Sequence, residues 1–240
     1  MAGDYRDSSH LPKVRDGHPV DPRTLPRQRR GVTPQMHGRY PDFDVMQQLP
    51  HWDAETAAVV RARVEQVPEL TFFRPEQART LSAFCDHLLA QEYEPRIPVL
   101  AFIDRKLAAG ELDGYRYADM PDDRDTWRIV ASGLDASSRA ICGEPFADAA
   151  EGAREQVVAG FAGGDLHEPA WDGLNVSRAF AVVARGALAA YYAHPWAWNE
   201  IGFGGPAYPR GYARIGIGLS EAWEGEEAFT RDPGQDEPTR

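Results

Sequence analysis

The sequence predicts an all-α fold, in which a single compact multi-helix domain lies between an extended N-terminal arm and an irregular C-terminal segment. Apolar residues between positions 52 and 192 recur at helical spacing in six successive segments. Capping residues or helix breakers stand at the ends of these segments, and no β-hairpin signature or alternating strand of convincing length accompanies them. The 240 residues are 42% hydrophobic and 26% charged, which is the composition of a soluble globular protein.

The first three helices are predicted from local start and stop signals. Asp53 is placed to cap the first helix, and Pro68 ends it. Pro75 stands near the start of the second helix, and the third runs from about Ile97 to a closing Gly110. The residues predicted to face the core are, in chain order, Ala57, Val60, Val64 and Val67; Leu81, Phe84, Cys85, Leu88 and Leu89; and Leu100, Ile103 and Leu107.

The next three helices are predicted in the same way. The fourth runs from about Asp122 to Gly143, and the fifth ends at Gly163-Gly164. Asn175 opens the sixth, whose alanines permit close packing of helices. The residues predicted to face the core are Trp127, Val130, Leu134 and Ile141; Ala150, Ala153, Val157 and Phe161; and Val176, Phe180, Val183, Ala187 and Tyr191. The six helices together define a predicted domain over residues 52–192.

Two flanking regions are predicted to lie outside the helical domain. Residues 1–51 are a Pro/Arg-rich arm whose first 41 positions hold six prolines, so regular structure is not expected before about Trp52. The arm is either a disordered tail or, as the aromatic Tyr40 and Phe43 indicate, packed in its later part. Residues 220–240 are predicted to be an acidic tail that is solvated after one last anchoring aromatic residue, Trp223 or Phe229.

Charge and cysteine content narrow the classes of function. The net charge of −11 predicts that neither nucleic acid nor an anionic membrane surface is a partner, and no apolar run approaches the ~20 residues of a bilayer span. Cys85 and Cys142 fit no disulfide or metal framework and are interpreted as small buried hydrophobic residues. The N-terminus lacks a secretory pattern, and Arg29-Arg30 is not followed by the apolar run of a twin-arginine signal. A cytoplasmic location is therefore expected.

The sequence contains no motif of a nucleotide-binding loop, of a zinc site or of a nucleophilic serine. The glycines of residues 202–205 lack the spacing and the flanking strand of a phosphate-binding loop. His167-Glu168, or His194 with Glu200, would hold a metal only with help from distant residues. We therefore predict no catalytic residue, no metal site and no cofactor on this chain.

The C-terminal part of the chain departs from ordinary helical composition. Residues 191–212 hold seven aromatics, three prolines and four glycines, which predicts neither a regular helix nor a regular strand. The stretch is nevertheless too apolar for a flexible linker and must pack. It is either a docking surface, since Trp, Tyr and Arg are favoured at protein interfaces, or an aromatic lid on the domain's own core. We call residues 193–219, which contain most of this stretch and the residues that follow it, the aromatic segment.

Four short motifs carry a resemblance to a known family. They are Glu94-Pro95-Arg96-Ile97-Pro98, Phe102-Ile103-Asp104, Tyr115-Arg116-Tyr117, and the stretch from His194-Pro195 to Pro209-Arg210-Gly211-Tyr212. Over about residues 75–212 the chain resembles the gluconate 2-dehydrogenase subunit 3 family. The resemblance implies a small, non-flavin subunit that binds a large flavoprotein of the glucose-methanol-choline oxidoreductase type, with FAD in the partner. It also implies that the pair oxidises sugars, sugar acids or glycosides, while the small subunit supports folding, stability or export of the catalytic chain.

Many members of that family carry a twin-arginine signal, and this sequence departs from the pattern. The complex therefore either works in the cytoplasm or reaches the periplasm on a signal carried by the partner. The leading hypothesis is a non-catalytic subunit whose partner-binding residues are His194, Trp196, Trp198, Asn199, Glu200, Tyr208, Arg210 and Tyr212.

Two other classes of function stay open. The first is a stand-alone enzyme that binds or modifies a sugar, with its acid or base among His194, Glu200, Asp104 and Arg210 and with the sugar stacked on a tryptophan of the aromatic segment. The second is a structural interaction domain without a dehydrogenase partner.

Overall fold

The computed structural model describes residues 40, 43–91, 94–111, 116–214 and 221–225, together with the backbone of two short strands. Its helices are the 3₁₀-helix η1 (Val45–His51), α1 (Ala54–Glu65), α2 (Pro75–Leu88), α3 (Val99–Ala108), α4 (Asp123–Cys142), α5 (Glu151–Gly163), the 3₁₀-helix η2 (Pro169–Trp171), α6 (Val176–Tyr192) and α7 (Pro195–Ile201). Strands β1 (Val14–Arg15) and β2 (His18–Pro19) pair antiparallel, with Val14 opposite Pro19. The predicted all-α class is confirmed, since this two-residue ribbon is the sole strand pairing in the described part.

The predicted helix ends coincide with observed capping interactions. The side chains of Asp53, Asp122 and Asn175 accept backbone N–H groups in the first turns of α1, α4 and α6. Gly143 and Gly164 end α4 and α5 in the left-handed conformation, with φ of 83° and 80°. These boundaries follow from local chemistry, which explains why the sequence predicts them to within about two residues.

The main core lies between α2, α3, α4, α5 and α6. Phe161 is at its aromatic centre, with ring centroids 5.9 Å from Phe84, 4.9 Å from Trp171 and 5.3 Å from Phe180. The Trp171 ring lies directly against Gly133 of α4, where a Cβ atom would overlap it. The main core therefore requires a glycine in the middle of a helix, at some cost in helix propensity.

Four residues predicted to face the core lie at the surface instead. Val67 is 58% exposed because α1 ends at Glu65, so the apolar periodicity continues beyond the helix. Ile141 and Cys142 are exposed in the last turn of α4, which has no buried residue after Ser138. Ala150 is also exposed, since it is the residue before the first turn of α5.

Two segments predicted to be irregular contain helices. The predicted arm 1–51 contains η1, which Asp44 caps by accepting the Met46 N–H over 3.0 Å. The aromatic segment contains α7, because Pro195 occupies the first helical turn and Gly202 adopts the left-handed conformation that ends it. The composition predicts helix breaking in both places, but Pro50 is accommodated inside η1, and Pro195 and Gly202 lie at the two ends of α7. Most of the arm before residue 40, and the tail after residue 225, lie outside the described residues.

A second, smaller core joins the two ends of the described chain. Its buried members are Val45, Trp52, Val60 and Trp198, and Phe43, Met46, Leu49, Ala57 and Phe203 pack against them. This cluster places η1 and α1 directly beneath α7. In the described part of the chain, no helix combines the length and the apolar character that crossing a membrane would require.

Candidate functional site

His194 begins α7 and is buried, with 2% of its surface exposed. Its Nδ1 atom accepts the Trp196 N–H over 3.2 Å, and its ring centroid is 6.1 Å from Phe102 and 4.8 Å from Trp196. Burial lowers the pKa of His194 to about 4, and the nearby Arg63 guanidinium lowers it too, while a hydrogen bond with the Arg63 backbone partly offsets both. The ring is therefore neutral at physiological pH and acts as a helix cap.

Trp198 belongs to the second core. Its indole Nε1–H donates to the Tyr192 carbonyl over 2.6 Å, and its ring meets Phe203 edge-on at 5.5 Å. The Arg63 guanidinium lies 5.8 Å from the ring centroid, within the range of a cation–π contact. Trp198 thus packs on its own chain, as the lid interpretation of the aromatic segment predicts for this residue.

Asn199 ties the aromatic segment to the N-terminal part of the chain. Its Oδ1 atom accepts the Val45 N–H over 2.7 Å, and its Nδ2 atom donates to Asp44 over 3.4 Å. Because Asn199 is 4% exposed, these hydrogen bonds also satisfy polar groups that burial would otherwise leave unpaired. The amide therefore fixes η1 against α7.

Arg210 holds the later half of the aromatic segment in place. Its guanidinium donates to Gln48 Oε1 over 2.8 Å and to the Gly204 carbonyl over 3.2 Å, and it lies 4.4 Å from the Trp223 ring centroid. Much of the hydrogen-bonding capacity that we predicted for a partner carboxylate is thus used within the chain.

Residues 221–225, at the start of the predicted acidic tail, pack against the aromatic segment, and Trp223 lies against Arg210. The Glu221 carboxylate accepts the backbone N–H groups of Ala213 and Arg214. The Gly225 N–H donates to the Gly202 carbonyl over 2.9 Å. The aromatic segment therefore packs against η1, which precedes the helical domain, and against residues 221–225, which follow it.

Four of the remaining candidate residues have different environments. Tyr208 is 68% exposed and Tyr212 is 45% exposed, so these two rings lie at the surface. Trp196 is partly buried against the main core. Glu200 is half-buried, its Oε2 atom has no hydrogen-bond partner among the described residues, and burial raises the pKa of its carboxyl group.

Asp104, the acid considered for a stand-alone enzyme, has a structural environment. It is fully buried, and its carboxylate accepts the backbone N–H groups of Thr71, Phe72 and Phe73 at 2.7, 3.0 and 2.9 Å. These bonds fix the chain just before α2 against α3. Asp104 therefore secures the connection between two helices of the main core.

The sequence gives no indication of a small basic cavity beside His194. The cavity has a volume of about 130 Å³, and Arg63, Phe102 and Arg105 contribute to its wall. Those residues come from α1 and α3, which are separate in sequence. Only their tertiary arrangement could reveal the cavity.

The fold and this region define an all-α protein whose aromatic segment is anchored to its own chain by Trp198, Asn199 and Arg210. Tyr208 and Tyr212 of the same segment are exposed. The family described as gluconate 2-dehydrogenase subunit 3 matches residues 75–205, which is more than half of the chain. The chain belongs to this family, and the predicted resemblance is confirmed. No curated protein and no solved structure matches the chain.

Proposed function

We propose that the protein is a non-catalytic small subunit that binds and stabilises an FAD-dependent oxidoreductase of the glucose-methanol-choline type. The partner would carry the FAD and oxidise sugars, sugar acids or glycosides. Membership of the gluconate 2-dehydrogenase subunit 3 family supports a role within a dehydrogenase complex. We further propose that the complex works in the cytoplasm.

The observation that carries the docking role is the exposure of Tyr208 on a fixed backbone. Arg210, two positions along the chain, bonds to Gln48 and Gly204, while the Tyr208 ring remains 68% exposed. A large aromatic side chain with few rotatable bonds loses little conformational entropy when a partner covers it. Such residues are frequent binding hot spots.

The test separates binding from folding. Tyr208→Ala should weaken binding of the co-expressed flavoprotein by about 2 kcal/mol, roughly thirty-fold in Kd, with little change in the free energy of unfolding. Trp198→Ala should instead destabilise the free chain by about 3–5 kcal/mol, because it leaves a cavity in the second core. Leu70→Ala is the matched control, since Leu70 is an exposed apolar residue outside the aromatic segment.

Titration calorimetry measures the affinity and urea denaturation measures the stability. Flavoprotein binding by Tyr208→Ala that equals binding by Leu70→Ala would contradict the docking role of this surface. Failure of the unsubstituted chain to retain any flavoprotein would contradict the proposed function itself. A flavin absorbance spectrum should accompany the complex and not the isolated chain.

A further inference from the structure

Two adjoining cavities lie where α1, α3 and α6 meet. The smaller has a volume of about 130 Å³, and its lining residues are Arg63, Phe102, Arg105, Ala190, Ala193 and His194. The larger, of about 410 Å³, shares all of these except His194. The shared wall makes the smaller cavity a recess at one end of a longer groove.

The recess concentrates positive charge on a protein whose net charge is −11. Arg63 and Arg105 are its charged lining residues, and neither forms an ion pair with a carboxylate in the described part of the chain. Burial and, secondarily, the charge of Arg105 lower the pKa of Arg63. The two guanidinium groups line the same recess, so their like charges repel. An anion between them would relieve that repulsion.

Each guanidinium group lies against an aromatic ring, and a backbone hydrogen bond also orients that of Arg63. Arg63 donates from Nη1 to the Ala193 carbonyl over 2.9 Å and lies 5.8 Å from the Trp198 ring centroid. Arg105 lies 5.8 Å from the Phe102 ring centroid. The guanidinium N–H groups that are not used in these contacts remain available, and their planar arrangement matches the two oxygens of a carboxylate.

The dimensions and polarity of the groove indicate where the anionic group would lie. A volume of about 130 Å³ equals the share of about four water molecules in the liquid, enough for a carboxylate with a short alkyl chain. The larger cavity continues over the apolar Leu107, Trp127 and Val182. Its other charged lining residues are Lys106, Glu111 and Asp123. Two carboxylates against one ammonium group make this part of the groove less favourable for an anion than the recess, where both charged residues are arginines.

We propose that the recess is a carboxylate-binding site and that the carboxylate belongs to an aspartate or glutamate side chain of the flavoprotein subunit. This assignment rests on the proposed function. The chain segment that carries the acid lies along the apolar wall of the larger groove. The proposed interface then has two elements: the exposed tyrosines of the aromatic segment and the charged recess.

The first experiment measures flavoprotein affinity for Arg105→Gln and for a matched control, Arg139→Gln. Arg105 is exposed and makes no side-chain hydrogen bond within the described residues, so its loss should leave folding intact. Arg139 is an exposed arginine that lines neither cavity. Arg105→Gln should weaken binding about ten-fold at low salt, with a smaller effect at high salt, whereas Arg139→Gln should have little effect.

The second experiment uses the isolated full-length chain. Propionate should cause saturable NMR shifts of the Ala190 and Ala193 methyl groups in the millimolar range, while the uncharged isostere propionamide should cause none. Arg105→Gln should abolish the response to propionate, and Arg139→Gln should retain it. No response of the unsubstituted chain to propionate would overturn the carboxylate site.

The two experiments distinguish the source of the carboxylate. Equal flavoprotein affinity of the two variants, together with a propionate response, would overturn the assignment to the partner and indicate a free carboxylate as the ligand. If the unsubstituted chain binds no flavoprotein, the proposed function and the partner assignment both fail. The propionate titration alone then decides whether the site exists.

Discussion

Acidification should destabilise the protein through His194. The folded state lowers the pKa of this residue from 6.5 to about 4, so folding favours the neutral ring. The contribution to stability is therefore fully present above about pH 6.5 and is lost as the pH falls towards 4. With about 1.4 kcal/mol for each pKa unit, the loss between neutral pH and about pH 5 amounts to roughly 2 kcal/mol.

The assay is urea denaturation of the unsubstituted protein and of His194→Asn at about pH 7.5 and about pH 5. Asparagine can still accept a hydrogen bond at the start of α7 but does not titrate, so the difference between the two proteins isolates the imidazole. Burial raises the pKa values of Asp86 and Glu200. This acts in the opposite direction, stabilising the fold at lower pH, and largely cancels in the difference because both proteins contain these acids.

His167→Asn is the matched control, since His167 is exposed. Its pH dependence should follow that of the unsubstituted protein. His194→Asn should lose about 2 kcal/mol less than the unsubstituted protein on acidification. Equal losses in the two proteins would refute the view that the buried ring of His194 stabilises the fold only when it is neutral.

Three further perturbations test the packing described above. Gly205→Ala should destabilise the protein by about 2 kcal/mol or more in urea denaturation, because the φ of 77° at Gly205 disfavours a side chain and the new Cβ would overlap Trp52. Unchanged stability would contradict the described packing of Gly205 against the second core. Asp104→Ala should cost about 3 kcal/mol or more, measured by thermal unfolding, because it leaves three backbone N–H groups without their acceptor; a loss below about 1 kcal/mol would show that these bonds are replaced. A thiol reagent should label Cys142 rapidly in the native protein and Cys85 only after unfolding, since Cys142 is exposed whereas burial raises the pKa of the Cys85 thiol; rapid labelling of both would contradict the packing of α2.

Local sequence signals determine most of the helical architecture. Asp53 and Asn175 cap helices through bonds to N–H groups within three residues, and Gly143 ends α4 with its own backbone conformation. Such interactions depend only on neighbours in the chain, so the sequence predicts them. The helical spacing of apolar residues continues past the end of α1 to the exposed Val67, because an apolar residue beyond a helix end resembles one within it.

The aromatic segment shows where local signals cease to be informative. Its composition indicates that it packs. The lid interpretation describes Trp198, which is buried in the chain's own core, whereas Tyr208 is exposed and its docking role stays a prediction. A tryptophan and a tyrosine ten positions apart have similar propensities to lie in a core or at an interface. Which of them is covered depends on residues from elsewhere in the chain.

Tertiary structure alone decides the arrangement of the site. The Val45 N–H and the Asn199 side chain meet across 154 residues, and Arg63 joins Arg105 and His194 around one recess although they belong to separate elements. The sequence by itself determines the all-α class, most of the helix ends between residues 52 and 192, and the presence of a packed aromatic segment, because these depend on side-chain chemistry within a few residues. The hydrogen bonds of Asn199 and the basic recess depend on how helices distant in sequence pack together. Neither the Asn199 amide nor the Arg63 guanidinium has a local partner that would reveal its role.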